Sequence, residues 1–162
     1  MKTLYLVRHA KSSWTFDLPD HDRPVGKRGR KDVMKMGQYL SKHQPPPEII
    51  ISSSASRAFY TALYLCDFLG VEEDKILLSQ QLFHASRDQI LDVISQAPTC
   101  NILAVFGHNP GITSISNHLS GAYIDNIPTC GIVGIEFDVS SWSEIRSAKG
   151  QVTFTYFPKE LL

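Results

Sequence analysis

Three stretches of the chain are apolar at every consecutive position: Leu4-Tyr5-Leu6-Val7, Ile49-Ile50-Ile51 and Ile102-Leu103-Ala104-Val105-Phe106. A strand with one wet face alternates apolar and polar residues, so unbroken runs this short read as strands covered on both faces, the pattern of a parallel sheet. The segments between them carry a helical period. Val33, Met36, Gly37 and Leu40 share one face of a helix over about Arg28 to His43, which Pro45-Pro46-Pro47 stops. Ser52-Ser53-Ser54 offers a cap for a helix over about Ala55 to Leu69, with Ala58, Ala62, Leu65 and Leu69 as its stripe and Gly70 at its end. Lys75 to Ser79 reads as a strand, and Ser86-x-x-Gln89 as a capping box opening a helix that buries Ile90, Val93 and Ile94. After the Asn101 to Phe106 strand come a short helix to about Leu119 and two strands, near Ile132 to Asp138 and Val152 to Phe157. The expected fold is α/β, a three-layer sandwich with a mostly parallel central sheet flanked by helices.

Length and charge narrow the function classes. At 162 residues with no linker or repeat, the chain is expected to form one domain over 1–162. Sixteen Lys and Arg balance sixteen Asp and Glu, which argues against coating nucleic acid or an anionic membrane by bulk charge. The balance is uneven along the chain. Residues 1–35 hold nine basic and four acidic side chains, and the remainder seven and twelve. The apolar run Ile102 to Phe106 is far below the ~20 residues of a membrane helix, and the first residues lack a secretory pattern, so the expectation is cytoplasmic. Cys66, Cys100 and Cys130 are odd in number and widely spaced, and packing is their expected role.

Ligands of open α/β sheets collect at the carboxyl ends of the strands. Arg8 and His9 follow the first expected strand, Arg57 sits in the helix after the second, and His108 lies in Gly107-His108-Asn109-Pro110-Gly111 after the fourth. Each has an ordinary alternative. Arg-His pairs arise by chance, Arg57 suits a solvated helix turn, and His108 suits a glycine-flanked turn. Together, two guanidiniums, two imidazoles and a helix N-terminus make a pocket for a tetrahedral dianion such as phosphate. The polar stretch Ala10 to Gly29, long for a loop, borders it. No serine-hydrolase elbow, P-loop or helix-borne zinc pair occurs.

These blocks carry a family resemblance. Leu6-Val7-Arg8-His9-Ala10, Ser52-Ser53-Ser54-Ala55-Ser56-Arg57-Ala58-Phe59-Tyr60-Thr61-Ala62 and Gly107-His108-Asn109-Pro110-Gly111 resemble the three ordered motifs of the histidine phosphatase superfamily. With Lys11-Ser12-Ser13-Trp14 and Asp22-Arg23-Pro24, the chain is most similar to its SixA-type phosphohistidine phosphatase branch. The resemblance implies a phosphoglycerate mutase-like fold, a nucleophilic His9, Arg8 and Arg57 gripping phosphoryl oxygens, and His108 completing the pocket. Arg23 either reaches the phosphate from the loop or braces the loop, and Lys11 either faces an acidic partner or is solvated. Two arginines stand where nucleotide enzymes use Mg²⁺, so neither metal nor cofactor is expected.

Relatives that cleave alkyl esters commonly place a Glu or Asp after the third strand as general acid. Here Gln80-Gln81-Leu82-Phe83-His84-Ala85-Ser86 holds no carboxylate, which leaves His84 or a loop aspartate, Asp17, Asp20 or Asp22, as proton donors. Such a gap weakens the case for alkoxide leaving groups more than for phosphohistidine, whose imidazole is easily protonated beforehand. Val25-Gly26 also departs from the usual Leu-Thr or Leu-Asn pair, so loop contacts do not transfer directly. The expectation is a metal-independent signalling phosphatase acting through phospho-His9 on a phosphorylated protein such as a histidine phosphotransfer domain. The alternatives are a general or small-metabolite phosphomonoesterase of the same superfamily and a non-catalytic phosphate-binding module.

Overall fold

The computed structural model describes residues 1–161. Its strands are β1 (Lys2–Arg8), β2 (Ile49–Ser53), β3 (Ile76–Ser79), β4 (Ile102–Gly107), β5 (Ile132–Phe137) and β6 (Gln151–Tyr156). The helices are α1 (Lys27–His43), α2 (Ser56–Leu69), α3 (Arg87–Ser95) and α4 (Gly111–Ser120), with short 3₁₀ turns between several elements. The sheet runs β3-β2-β4-β1-β5-β6. Its first four strands are parallel, while β5 runs antiparallel to β1 and β6 antiparallel to β5.

The unbroken apolar runs are explained by the two cores they feed. Leu4 and Leu6 of β1, with Leu103 and Val105 of β4, pack into the core under α3, α4 and the Trp142–Ser147 turn. Tyr5 and Val7, with Ala104 and Phe106, pack into the core under α1 and α2. Each large aliphatic side chain removed from water in these layers contributes about 1.5–3 kcal/mol. The central strands therefore have no wet face, as expected of a three-layer α/β sandwich. On edge strand β6, Val152, Phe154 and Tyr156 are half-buried and alternate with exposed neighbours.

Most expected elements stand within a residue or two. Gly70, in a left-handed conformation at φ 69°, ends α2, and Ser86 with Gln89 forms a capping box on α3. Two details differ. The serines before α2 do not cap it: Ala55 occupies the cap position and has no side chain to bond the first helical amides, because β2 runs on through Ser53. The stretch from Ala10 is also less irregular than its sequence suggests, with a bridge between Ser12 and Val25 and a 3₁₀ turn at Asp20–Asp22 before α1 begins at Lys27. Gly29 permits that packing, since a β-carbon there would collide with the Lys11 carbonyl and with Val25. No helix among the described residues is long and apolar enough to cross a membrane.

Candidate active site

The register of β1 against β4 pairs Arg8 with Gly107, so His9 and His108 leave the sheet side by side at its carboxyl edge. The His9 amide donates to the Gly107 carbonyl at 3.1 Å, and the two imidazole centroids are 5.1 Å apart. Thr61 of α2 completes this anchor: its hydroxyl accepts the Ala10 amide at 2.9 Å and donates to the Arg57 carbonyl at 2.6 Å.

The hydrogen bonds determine how each ring is poised. Nδ1 of His9 lies 2.8 Å from the Ala10 carbonyl oxygen. A carbonyl only accepts, so Nδ1 carries the proton and Nε2 keeps its lone pair. Burial, partly opposed by this bond, together with the charges of Arg57, Arg8 and Arg23, lowers the His9 pKa to about 4. The ring is thus neutral near pH 7, the form a nucleophile needs. Nε2 of His108 lies 2.8 Å from Oγ of Ser53, which also accepts the Ala55 amide at 3.2 Å. The arrangement that keeps the serine proton paired is O–H donation to Nε2, which leaves His108 protonated on Nδ1. Burial, then the influence of His9, Arg57 and His84, lowers the His108 pKa to about 3.

Arg8 ends β1 and spends Nη1 on the Ile127 carbonyl at 3.0 Å. Arg57, in the first turn of α2 and buried, gives Nη1 to the Asp20 carbonyl at 2.7 Å and Nη2 to the Asp20 carboxylate at 3.1 Å. Nε of Arg8, Nε of Arg57 and Nδ1 of His108 are buried without a hydrogen-bond partner. Buried donors left unpaired cost on the order of 1–3 kcal/mol each, so a cluster of them is the signature of a site that awaits an acceptor.

Asp20 is the participant that sequence patterning did not single out from the other loop aspartates. Its carboxylate meets Arg23 at 2.9 Å, Arg57 at 3.1 Å and Nε2 of His84 at 3.1 Å. Desolvation raises its pKa, but the bonds and charges of Arg23, Arg57 and His84 outweigh that and hold it at about 2. Asp20 is therefore ionised near neutrality and cannot donate a proton. The spacing Asp20-x-x-Arg23 was the one signal available in the sequence, since it suits a salt bridge across a single turn. Arg23 is buried and engaged within the loop: Nε bonds Asp20 at 3.0 Å, Nη1 bonds Ser12 at 2.6 Å, and its guanidinium lies 3.4 Å from the centroid of the exposed Trp14 ring. That is the bracing geometry. Asp22 contacts His21, while Lys11 and Asp17 are exposed.

Cys130 is buried, and burial raises the pKa of its thiol, so it offers no nucleophile; its amide instead ties the carbonyls of Arg8 and His9, each at 3.0 Å. Open clefts of about 440 Å³ beside Arg28, Lys35 and Phe157 and of about 540 Å³ beside Phe16, Arg30 and Tyr60 lie away from His9 and His108. Asp20 instead bonds Arg57 and His84. Among the described residues no group of three His, Cys, Asp or Glu side chains is placed to hold a metal ion.

Comparison with known proteins agrees with this geometry. The sequence profile of the histidine phosphatase superfamily, branch 1, matches residues 4–78, which include Arg8, His9, Arg23 and Arg57. An uncharacterised chloroplastic protein of Arabidopsis thaliana is 31% identical over 159 residues, covering 92% of this chain and 72% of that protein. An uncharacterised protein of Mycobacterium leprae is 25% identical over 169 residues, covering 94% of this chain and 100% of that protein. Among solved structures, a proposed phosphohistidine phosphatase SixA from Nakamurella multipartitia superposes with a TM-score of 0.86 at 21% identity, over 97% of this chain and 96% of that one. The protein histidine phosphatase SixA complexed with tungstate superposes at 0.79 with 16% identity, over 98% of each chain. The chain belongs to branch 1 of the histidine phosphatase superfamily, a phosphatase with the fold of the SixA-type proteins.

Proposed function

We propose that the protein removes the phosphoryl group from phosphohistidine on another protein, such as a histidine phosphotransfer domain, by metal-independent double displacement through His9. The observation that carries this reading is the trio of buried, unpartnered donors, Arg8 Nε, Arg57 Nε and His108 Nδ1, around a neutral imidazole with a free Nε2. In the proposed first step Nε2 of His9 attacks phosphorus in line with the departing nitrogen, and the trio receives the non-bridging oxygens. The guanidiniums supply the charge compensation on which phosphoryl transfer depends. In the second step water attacks phospho-His9. Because Nδ1 stays protonated toward Ala10, His9 then departs as a neutral ring.

Two observations support phosphohistidine over alkyl esters. Gln80 to Ser86 supplies no carboxylic acid, and Asp20 is held ionised by its cationic partners. A pre-protonated imidazole leaves without the proton delivery an alkoxide needs. A second reading, a phosphatase of small phosphate esters, is favoured by one observation, the exposed His84 imidazole with its ring centroid 5.6 Å from that of His108. One solved structure of this fold, at a TM-score of 0.67, is a mycobacterial glucosyl-3-phosphoglycerate phosphatase.

The deciding experiment compares wild type and His9→Ala on a phosphohistidine protein, on an aryl phosphate and on small sugar phosphates, with and without a chelator. The reading expects an acid-labile phosphoenzyme that requires His9, preference for the phosphoprotein, and no effect of chelation. Absence of the phosphoenzyme sinks the mechanism. Preference for sugar phosphates replaces the substrate with the second reading.

A further inference from the structure

A second surface, away from His9 and His108, has no part in holding the fold. The cleft of about 540 Å³ beside Phe16, Arg30 and Tyr60 continues into one of about 270 Å³ beside Met34 and Phe68, because Arg30 and Tyr64 line both. Together they form a groove between α1 and α2. Phe16, Met34, Tyr60 and Phe68 along it are each more than a third exposed. Apolar side chains exposed singly are ordinary, whereas a contiguous row of them marks an interaction surface. Charge narrows the partner. Lys27, Arg28 and Arg30 occupy the first turn of α1 with no acid among them, and Lys31 follows; all four are exposed and in no ion pair among the described residues. Cations at a helix N-terminus oppose the macrodipole, so this arrangement disfavours the helix and favours an anionic neighbour. Asp67, toward Phe68, is the one acid that lines the groove among the described residues.

One end of the groove is tied to the catalytic edge. Tyr60 stands one turn of α2 beyond Arg57. Trp14, between the cleft-lining Ser13 and Thr15, stacks on Arg23, which bonds Asp20 and through it reaches Arg57. A ligand that fills the groove while presenting a phosphoryl group to His9 therefore spans both places, which a small metabolite does not. Its shape follows from the two helices. They approach so closely that a β-carbon on Gly37 would fall 2.7 Å from the Phe68 ring, and the seam of two such helices receives the side-chain ridge of a third. Tyr60 to Phe68 measures ~12 Å along α2, room for about two helical turns. We infer that the groove docks an acidic amphipathic helix of the phosphorylated protein, with apolar side chains in the clefts and carboxylates against Lys27 and Arg30. The inference rests on the phosphoprotein substrate of the proposed function and names the surface that holds it.

The test compares two substrates with the same leaving group, a histidine phosphotransfer domain phosphorylated on its histidine and free phosphohistidine. The variants are Phe16→Ala and the double charge reversal Lys27→Glu with Arg30→Glu. Each should lower kcat/KM for the phosphoprotein by roughly 10- to 30-fold, through KM, and leave free phosphohistidine turnover as in wild type. The charge reversal should also flatten the salt dependence of the phosphoprotein reaction. Its thermal midpoint should hold or rise, because acids at the start of α1 complement the macrodipole, so lost docking is read apart from lost folding. Equal losses on both substrates, or unchanged kinetics on the phosphoprotein, would overturn the inference. Two other occupants would do the same: phosphatidylserine vesicles that bind wild type but not the variants, or a wild-type dimer that Phe16→Ala dissociates, with phosphoprotein kinetics unaltered in either case. Wild type that turns over sugar phosphates and neither phosphohistidine substrate would reject the proposed function itself, and this surface as its dock.

Discussion

Asp20 holds both terminal nitrogens of Arg57, taking Nη1 on its main-chain carbonyl at 2.7 Å and Nη2 on its carboxylate at 3.1 Å. One residue of a surface loop thus fixes the guanidinium so that Nε alone is left unpartnered. The same carboxylate gathers Arg23 and His84, which makes the 3₁₀ turn at Asp20–Asp22 a rigid border of the site.

Replacing Asp20 by Asn keeps the shape but removes the charge that orients Arg23 and Arg57 and holds the His84 ring. Misplacing the guanidinium by a fraction of its reach is expected to lower kcat/KM by about 10- to 10²-fold. Steady-state kinetics on an aryl phosphate checks this, and unchanged kinetics would show that Arg57 is positioned without Asp20.

Arg57→Lys is not a conservative change here. A lysine offers no counterpart to Nε while it satisfies Asp20, so activity should fall by on the order of 10²–10³-fold, close to the loss for Arg57→Ala. Kinetics of the two variants side by side reads the difference, and near-wild-type activity of the lysine variant would refute it.

Acid should weaken the fold in two windows. His9 and His108 have folded-state pKa values of about 4 and about 3, below the ~6.5 of an unfolded histidine. The unfolded chain therefore binds more protons in that range, and the stability from both rings, complete above about pH 6.5, is lost as pH falls toward their folded values. Asp20, held at about 2 against an ordinary ~3.9, contributes stability above about pH 4 that is lost on further acidification. Thermal midpoints against pH should show both declines. His108→Gln should flatten the first and Asp20→Asn the second.

Gly29→Ala tests the seam between α1 and the segment after β1. The added β-carbon meets backbone at Lys11 and the Val25 side chain, both close behind His9, so a destabilisation of about 1–3 kcal/mol is expected. Urea unfolding measures it. Activity should fall with it, because the shift reaches the Ser12–Val25 bridge that carries Arg23 and Asp20 to the site.

Much of this was legible in the chain. Unbroken apolar runs marked β1, β2 and β4 because strands covered on both faces need apolar residues at every position, and Arg8, His9, Arg57 and His108 fell at their ends for the same reason. The antiparallel direction of β5 and β6 was not legible, since a run such as Ile132 to Phe137 is equally apolar whichever way it enters the sheet.

The order of short apolar segments and turns determined the sandwich and its strand ends, because local periodicity and burial are properties of neighbouring residues. Tertiary structure alone decided the rest of the site. Asp20 reaches Arg57 only because the loop from Ala10 is pinned by the Ser12–Val25 bridge, and Ser53 binds His108 instead of capping α2 because β2 lies beside β4. The tautomers of both histidines, and the donors left unpaired between them, follow from contacts among residues far apart in the chain. No pattern along the sequence encodes such contacts, and they arise when packing removes water from groups that then need partners.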